Sequence, residues 1–145
     1  MNKKVRVKIC CIGSIEEAIL AVNYGASALG LVSEMPSGPG VIEEELISEI
    51  ISIIPPGVAS FLLTCKQNAN DIIDQQKRTG ANVIQLCDRL TTQNYSRLKN
   101  SLNGISIVQV VHVYDEDSIE EAVEASKFVN AILLDSGNQT LQLKN

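Results

Sequence analysis

Short runs of apolar, β-branched residues alternate along this chain with longer stretches in which apolar positions recur every three or four residues. The first pattern suits buried strands and the second amphipathic helices, and their regular alternation predicts βα units around a parallel sheet. Six strands are expected, over residues 5–12, 28–33, 59–65, 82–87, 106–113 and 131–135. Helices are expected between them, over 14–25, 43–54, 68–79, 93–101 and 118–128. Ser14 has the hydroxyl of an N-cap, Glu16 and Glu17 favour the first turn, and Gly25 closes the helix cheaply in the left-handed region. Residues 34–40 (Glu-Met-Pro-Ser-Gly-Pro-Gly) have the composition of a loop. Strand starts recur every ~23 to 31 residues, which leaves room only for short connections.

Six such units fit two architectures: an open doubly wound sheet, complete at this length, or a (β/α)8 TIM barrel represented by about its first six strands. Periodicity alone does not choose between them. In both, chemistry sits beyond the carboxyl ends of the strands. Cys10 and Cys11, Cys65, Cys87 and Asp88, His112 and Asp135 all fall at those ends and are expected to converge on one rim. Taken singly, each has an ordinary role, since a buried cysteine is usually a small hydrophobe and an aspartate ending a strand often forms a turn.

Composition narrows the classes. At 145 residues, 45% hydrophobic and only 3% aromatic, the chain is expected to form a single domain with an aliphatic core. A formal charge of -5 without a basic block gives no footprint for a nucleic acid or an acidic membrane. Lys3 and Lys4 are followed by Arg6 and Lys8, which interrupt any signal-peptide core, and no apolar run approaches the ~20 residues of a membrane span. Four cysteines in such a chain are expected to be reduced thiols in a cytoplasmic protein.

Two segments carry a more specific signal. Val5-Arg6-Val7-Lys8-Ile9-Cys10 resembles the Lys-Ile-Cys segment that opens phosphoribosylanthranilate isomerases, and Ile132-Leu133-Leu134-Asp135-Ser136 is similar to that family's sixth-strand Leu-Leu-Asp. Between them, residues 25–32 resemble the family's second strand, and Val83-Ile84-Gln85-Leu86 resembles its Val-Val-Gln-Leu. The resemblance implies a (β/α)8 barrel and a cofactor-free Amadori rearrangement, an aldose–ketose isomerisation of a phosphoribosyl amine in tryptophan biosynthesis. It assigns Cys10 as the general base at the sugar C2 and Asp135 as the general acid at the ring oxygen. Lys8, Gln85, Cys87 and Gln109 match positions that contact substrate, and Lys8, two residues before Cys10, shares its side of the strand.

The chain also departs from the family pattern. The family's Cys-Gly-Ile-Thr-Asn is Cys10-Cys11-Ile12-Gly13-Ser14 here, its loop Arg after strand two is Gly40, its strand-four His is Cys87, and its strand-five Lys is Gln109. Family members grip the substrate phosphate after strands seven and eight, so residues 1–145 are expected to be one domain lacking the last two βα units. Left open, strands one and six would expose aliphatic residues expected on their inward faces, such as Val7, Ile9 and Leu133, which predicts a homo-oligomer or a longer polypeptide. Three other readings remain: a non-catalytic phosphosugar binder on the same scaffold, a metal site from Cys10, Cys65, Cys87 and His112, and a flavodoxin-like domain. The small-molecule partner expected is a phosphosugar, with no resident metal or cofactor.

Overall fold

A computed structural model describes residues 4–136. The elements follow one another as β1 (Lys8–Ile9), α1 (Ile15–Asn23), β2 (Ala28–Val32), α2 (Glu44–Ile53), β3 (Ala59–Thr64), α3 (Ala69–Thr79), β4 (Val83–Leu86), α4 (Thr92–Ser101), β5 (Ser106–His112), α5 (Asp117–Ser126) and β6 (Ala131–Asp135). All six strands are parallel and neighbours in sequence order, β1-β2-β3-β4-β5-β6. A doubly wound sheet would place β1 inside the order, so this is the wall of a (β/α)8 barrel. The flavodoxin-like alternative fails on the same ground.

Local chemistry sets the boundaries. Ser14 caps α1 by accepting from the Glu17 amide at 3.1 Å, while the Glu17 carboxylate reaches back to the Gly13 amide at 2.6 Å. Asn68 and Thr91 cap α3 and α4 in the same way. Gly80 ends α3 with φ +77°, a left-handed turn that a side chain would strain. β1 is much shorter than the expected 5–12. Its ladder with β2 is extended by the Ser27 amide bonding the Val7 carbonyl at 2.8 Å and the Ile12 amide bonding the Gly30 carbonyl at 3.2 Å. Between them Cys11 turns to φ +58° and breaks the extended path.

Because side chains alternate along a strand, helices on one side divide every strand in two. Leu29, Leu31, Leu62, Ile84, Leu86 and Ile107 face the helices and pack with Ile47, Ile50, Ile72 and Leu98 in one aliphatic core. The other row, including Lys8, Gly30, Phe61, Gln85, Val110 and His112, faces the barrel interior. Val7 and Ile9, expected on the inward face, belong to the helix row and lie in an apolar cleft against Leu20, Ala21 and Tyr24 of the α1 unit. They are 47% and 41% exposed, so the apolar exposure expected at this edge is present. Leu134 at the other edge lies against Ile119 and Val123. Among the described residues no helix is long and apolar enough to cross a membrane.

At the amino ends of the strands, asparagines latch neighbouring units. Asn82 Oδ1 accepts from the Ser60 amide at 2.9 Å while Ser60 Oγ accepts from the Asn82 amide at 3.0 Å. Asn130 Oδ1 likewise accepts from the Ile107 amide at 2.8 Å. Replacing Asn82 with alanine strands the amide of buried Ser60 and should destabilise the fold by about 1–3 kcal/mol in urea unfolding; an unchanged midpoint would show that water replaces the latch.

Candidate active site

The inward row ends in a rim built from the residues after each strand. Lys8 is half buried, its ammonium 4.7 Å from the centre of the Phe61 ring, and it donates a short hydrogen bond to Gln85 Oε1. Gln85 is itself buried on β4, so a strand-one cation is held by a strand-four amide across two intervening strands. An amide oxygen satisfies a donor without neutralising its charge. The remaining charge faces sulfur: burial pulls the Lys8 ammonium down, and Cys10, Cys87 and Cys11 oppose that by favouring its charged form. Lys8, Cys10, Gln85 and Cys87 are thus brought together.

The four cysteines are free thiols in different settings. Cys10 is exposed, with its sulfur against Gly30, where an added Cβ would lie only 2.7 Å away. Burial, reinforced by Asp88, Cys65 and Cys10, pushes the Cys87 thiol up to about 11. Burial and the neighbouring Cys10 also raise Cys11. Cys65 contacts the Glu34 carbonyl at 3.5 Å. Among the described residues no group of three or more His, Cys, Asp or Glu side chains comes together to hold a metal ion, so Cys10, Cys65, Cys87 and His112 do not form the metal site considered from sequence.

At the far edge Asp135 ends β6 beside His112 of β5, the two being register partners, with His112 Nδ1 3.9 Å from Asp135 Oδ2. The sequence placed His112 on the same rim as Asp135 but gave it a role only as a metal ligand. Its place beside Asp135 follows from register, which strand pattern alone does not fix. Phe61 was missed altogether, although its inward parity on β3 places it opposite the strand-one lysine.

Gln109 requires a correction. It shares the helix-facing row with Ile107, and all its hydrogen-bonding capacity on that side is used structurally. Its Oε1 accepts from the Tyr95 hydroxyl at 2.6 Å, and its Nε2 donates to the carbonyls of Leu86, Asp88 and Val110 at 3.2, 3.3 and 3.1 Å. Tyr95 in turn stacks on Phe128, so Gln109 anchors α4 to the wall rather than contacting a ligand in the interior. Period two decides this: residues 108, 110 and 112 point inward and 109 does not.

The loop after β2 lies over the first. Gly40 has φ +82°, and a Cβ on it would come within 2.6 Å of Cys11 Cβ. Cys11 donates from Sγ to the Pro39 carbonyl at 3.6 Å. The position that resembles the family's arginine is therefore closed to a side chain while Cys11 keeps its place. The thiols also make a test of this geometry. Under alkylation followed by peptide mass spectrometry, exposed Cys10 should label readily, whereas labelling of Cys87 should lag and rise toward a midpoint at about pH 11. Equal rates at Cys10 and Cys87 would contradict the packing described.

No family model matches the chain. It is 29% identical over 142 residues to N-(5'-phosphoribosyl)anthranilate isomerase 2 of Methanosarcina mazei, covering 97% of this chain and 61% of that protein. To the N-(5'-phosphoribosyl)anthranilate isomerase of Thermotoga neapolitana it is 30% identical over 132 residues, covering 91% of this chain and 62% of the relative. The chain thus spans about three-fifths of the length of these relatives. The crystal structure of the Thermotoga maritima phosphoribosyl anthranilate isomerase superposes with a TM-score of 0.82 at 28% identity, over 93% of this chain and 63% of that one. A phosphoribosyl anthranilate isomerase in complex with reduced 1-(o-carboxyphenylamino)-1-deoxyribulose 5-phosphate gives 0.81 at 28% identity, over 97% and 69%. In sequence and in the order of its wall, the chain is similar to phosphoribosylanthranilate isomerases.

Proposed function

We propose that this protein is a phosphoribosylanthranilate isomerase-like enzyme that converts a phosphoribosyl amine to the corresponding aminodeoxyribulose phosphate, without a cofactor, as a step of tryptophan biosynthesis in the cytoplasm. The observation that carries this reading is the presence of a thiol just after strand one and a carboxyl ending strand six, both at carboxyl ends of the wall of a barrel whose relatives bear that name. An aldose–ketose isomerisation needs one acid and one base on an opened sugar. Asp135 protonates the ring oxygen, which opens the furanose to a Schiff base. The Cys10 thiolate removes the proton from C2, and the resulting enolamine tautomerises to the aminoketose. The Lys8 ammonium, tied to neutral Gln85 and near Cys10 and Cys87, attracts the anionic substrate.

The relative in complex carries a bound carboxyphenylamino-deoxyribulose phosphate, which supports a phosphosugar ligand for this rim. Another relative's crystal structure describes monomers generated from a dimeric isomerase, so pairing of copies has a precedent in the family.

The native polypeptide, expressed in a tryptophan auxotroph lacking this isomerase, should restore growth; well-expressed protein that fails would reject the anthranilate substrate. In the purified active enzyme, Cys10→Ala and Asp135→Asn should each lower kcat by about 100-fold or more with little change in thermal midpoint. Near-normal turnover in either variant would remove that residue from the chemistry.

A further inference from the structure

His112 is the only histidine in the chain, and the proposed chemistry leaves it without a task. It ends β5 on the inward row, one strand from the carboxyl assigned as acid. Register holds the two residues side by side, and the backbone locks that register just beyond, where the Val113 amide donates to the Asp135 carbonyl at 2.7 Å. The imidazole Nδ1 is buried, makes no hydrogen bond among the described residues, and lies 3.9 Å from Asp135 Oδ2. That separation is within ion-pair range but slightly beyond a hydrogen bond, and a small side-chain rotation closes it. The Tyr114 ring, its centre 6.3 Å away and tilted by 33°, backs the imidazole.

A buried ring nitrogen is seldom left unpaired, and a carboxylate beside an imidazole is its usual orienting partner. We propose that His112 is the positioning residue for Asp135: its Nδ1–H donates to Oδ2, fixing the carboxyl so that the other oxygen faces the ring oxygen of the sugar. The role rests on the isomerase reading. The hydrogen bond itself does not.

A single histidine makes the test unambiguous. Nitrogen-15 spectra of the intact protein, recorded at a pH where they show a single ring proton, should place that proton on Nδ1 in the wild type and on Nε2 in Asp135→Ala. A proton on Nε2 in both would overturn the hydrogen bond. In the active enzyme, His112→Phe should lower kcat on the order of 100-fold with KM little changed, as expected when a reacting group is misplaced. His112→Gln, which keeps a donor, should recover at least about tenfold of that loss. Wild-type kcat in His112→Phe, or no recovery in His112→Gln, would refute the positioning role. A wild-type protein without isomerase turnover would overturn the functional reading and this role in it, and the nitrogen spectra would still decide the hydrogen bond.

Discussion

A parallel wall covered by helices on one side imposes a strict division on its strands: every second residue enters an aliphatic core and every other one enters the barrel. The rest of this structure depends on that parity. It places Leu29, Leu62, Ile84 and Ile107 in the core shared with the helices, and it leaves Lys8, Phe61, Gln85 and His112 for the interior. Sequential pairing then carries the interior row from strand to strand, so that residues far apart in the chain come to share one rim. The contact between Lys8 and Gln85, made across two intervening strands, exists because both obey the same parity.

That contact also shapes the electrostatics of the rim. A half-buried ammonium normally finds a carboxylate, which would cancel its field. Among the described residues its hydrogen-bond partner is an amide and the face of Phe61 lies close by, and both hold the cation without discharging it. The uncancelled charge therefore acts on what is nearby, namely the thiols of Cys10, Cys11 and Cys87. Burial separates these thiols again. Cys87 is held strongly toward its neutral form, whereas Cys10 stands open at the rim.

Much of this was legible in the sequence because strand and helix periods, caps and turns are local signals. Ser14, Asn68 and Gly80 act as their types suggest, and the ends of β6 fall at the residues expected. The ordered matches to one family selected the barrel over the doubly wound sheet, and strand order agrees. What failed was the assignment of faces. Gln109 occupies a position that contacts substrate in the family's pattern, yet parity turns it to Tyr95. Val7 and Ile9 lie on the same side of the wall as the helices for the same reason. Both errors come from reading positions along a strand without fixing which face is inward, and a single interior residue, Lys8, was enough to fix it. The pairing of His112 with Asp135 needed the register between strands, which no single strand encodes.

The exchanges at positions 11 and 40, which look independent along the chain, are one event in three dimensions. Cys11 adopts φ +58°, a conformation that costs a non-glycine residue roughly 1–2 kcal/mol. Its side chain then occupies the space in which any Cβ at position 40 would have to sit, and its Sγ contacts the Pro39 carbonyl of the same loop. Gly40 is thus required twice, by its own positive φ and by Cys11. An arginine restored there alone would meet both obstacles, and a glycine restored at 11 alone would leave position 40 with φ +82° and the loop without its contact. The two loops form one keyed unit, so the absence of a guanidinium at this part of the rim is built into the backbone of both.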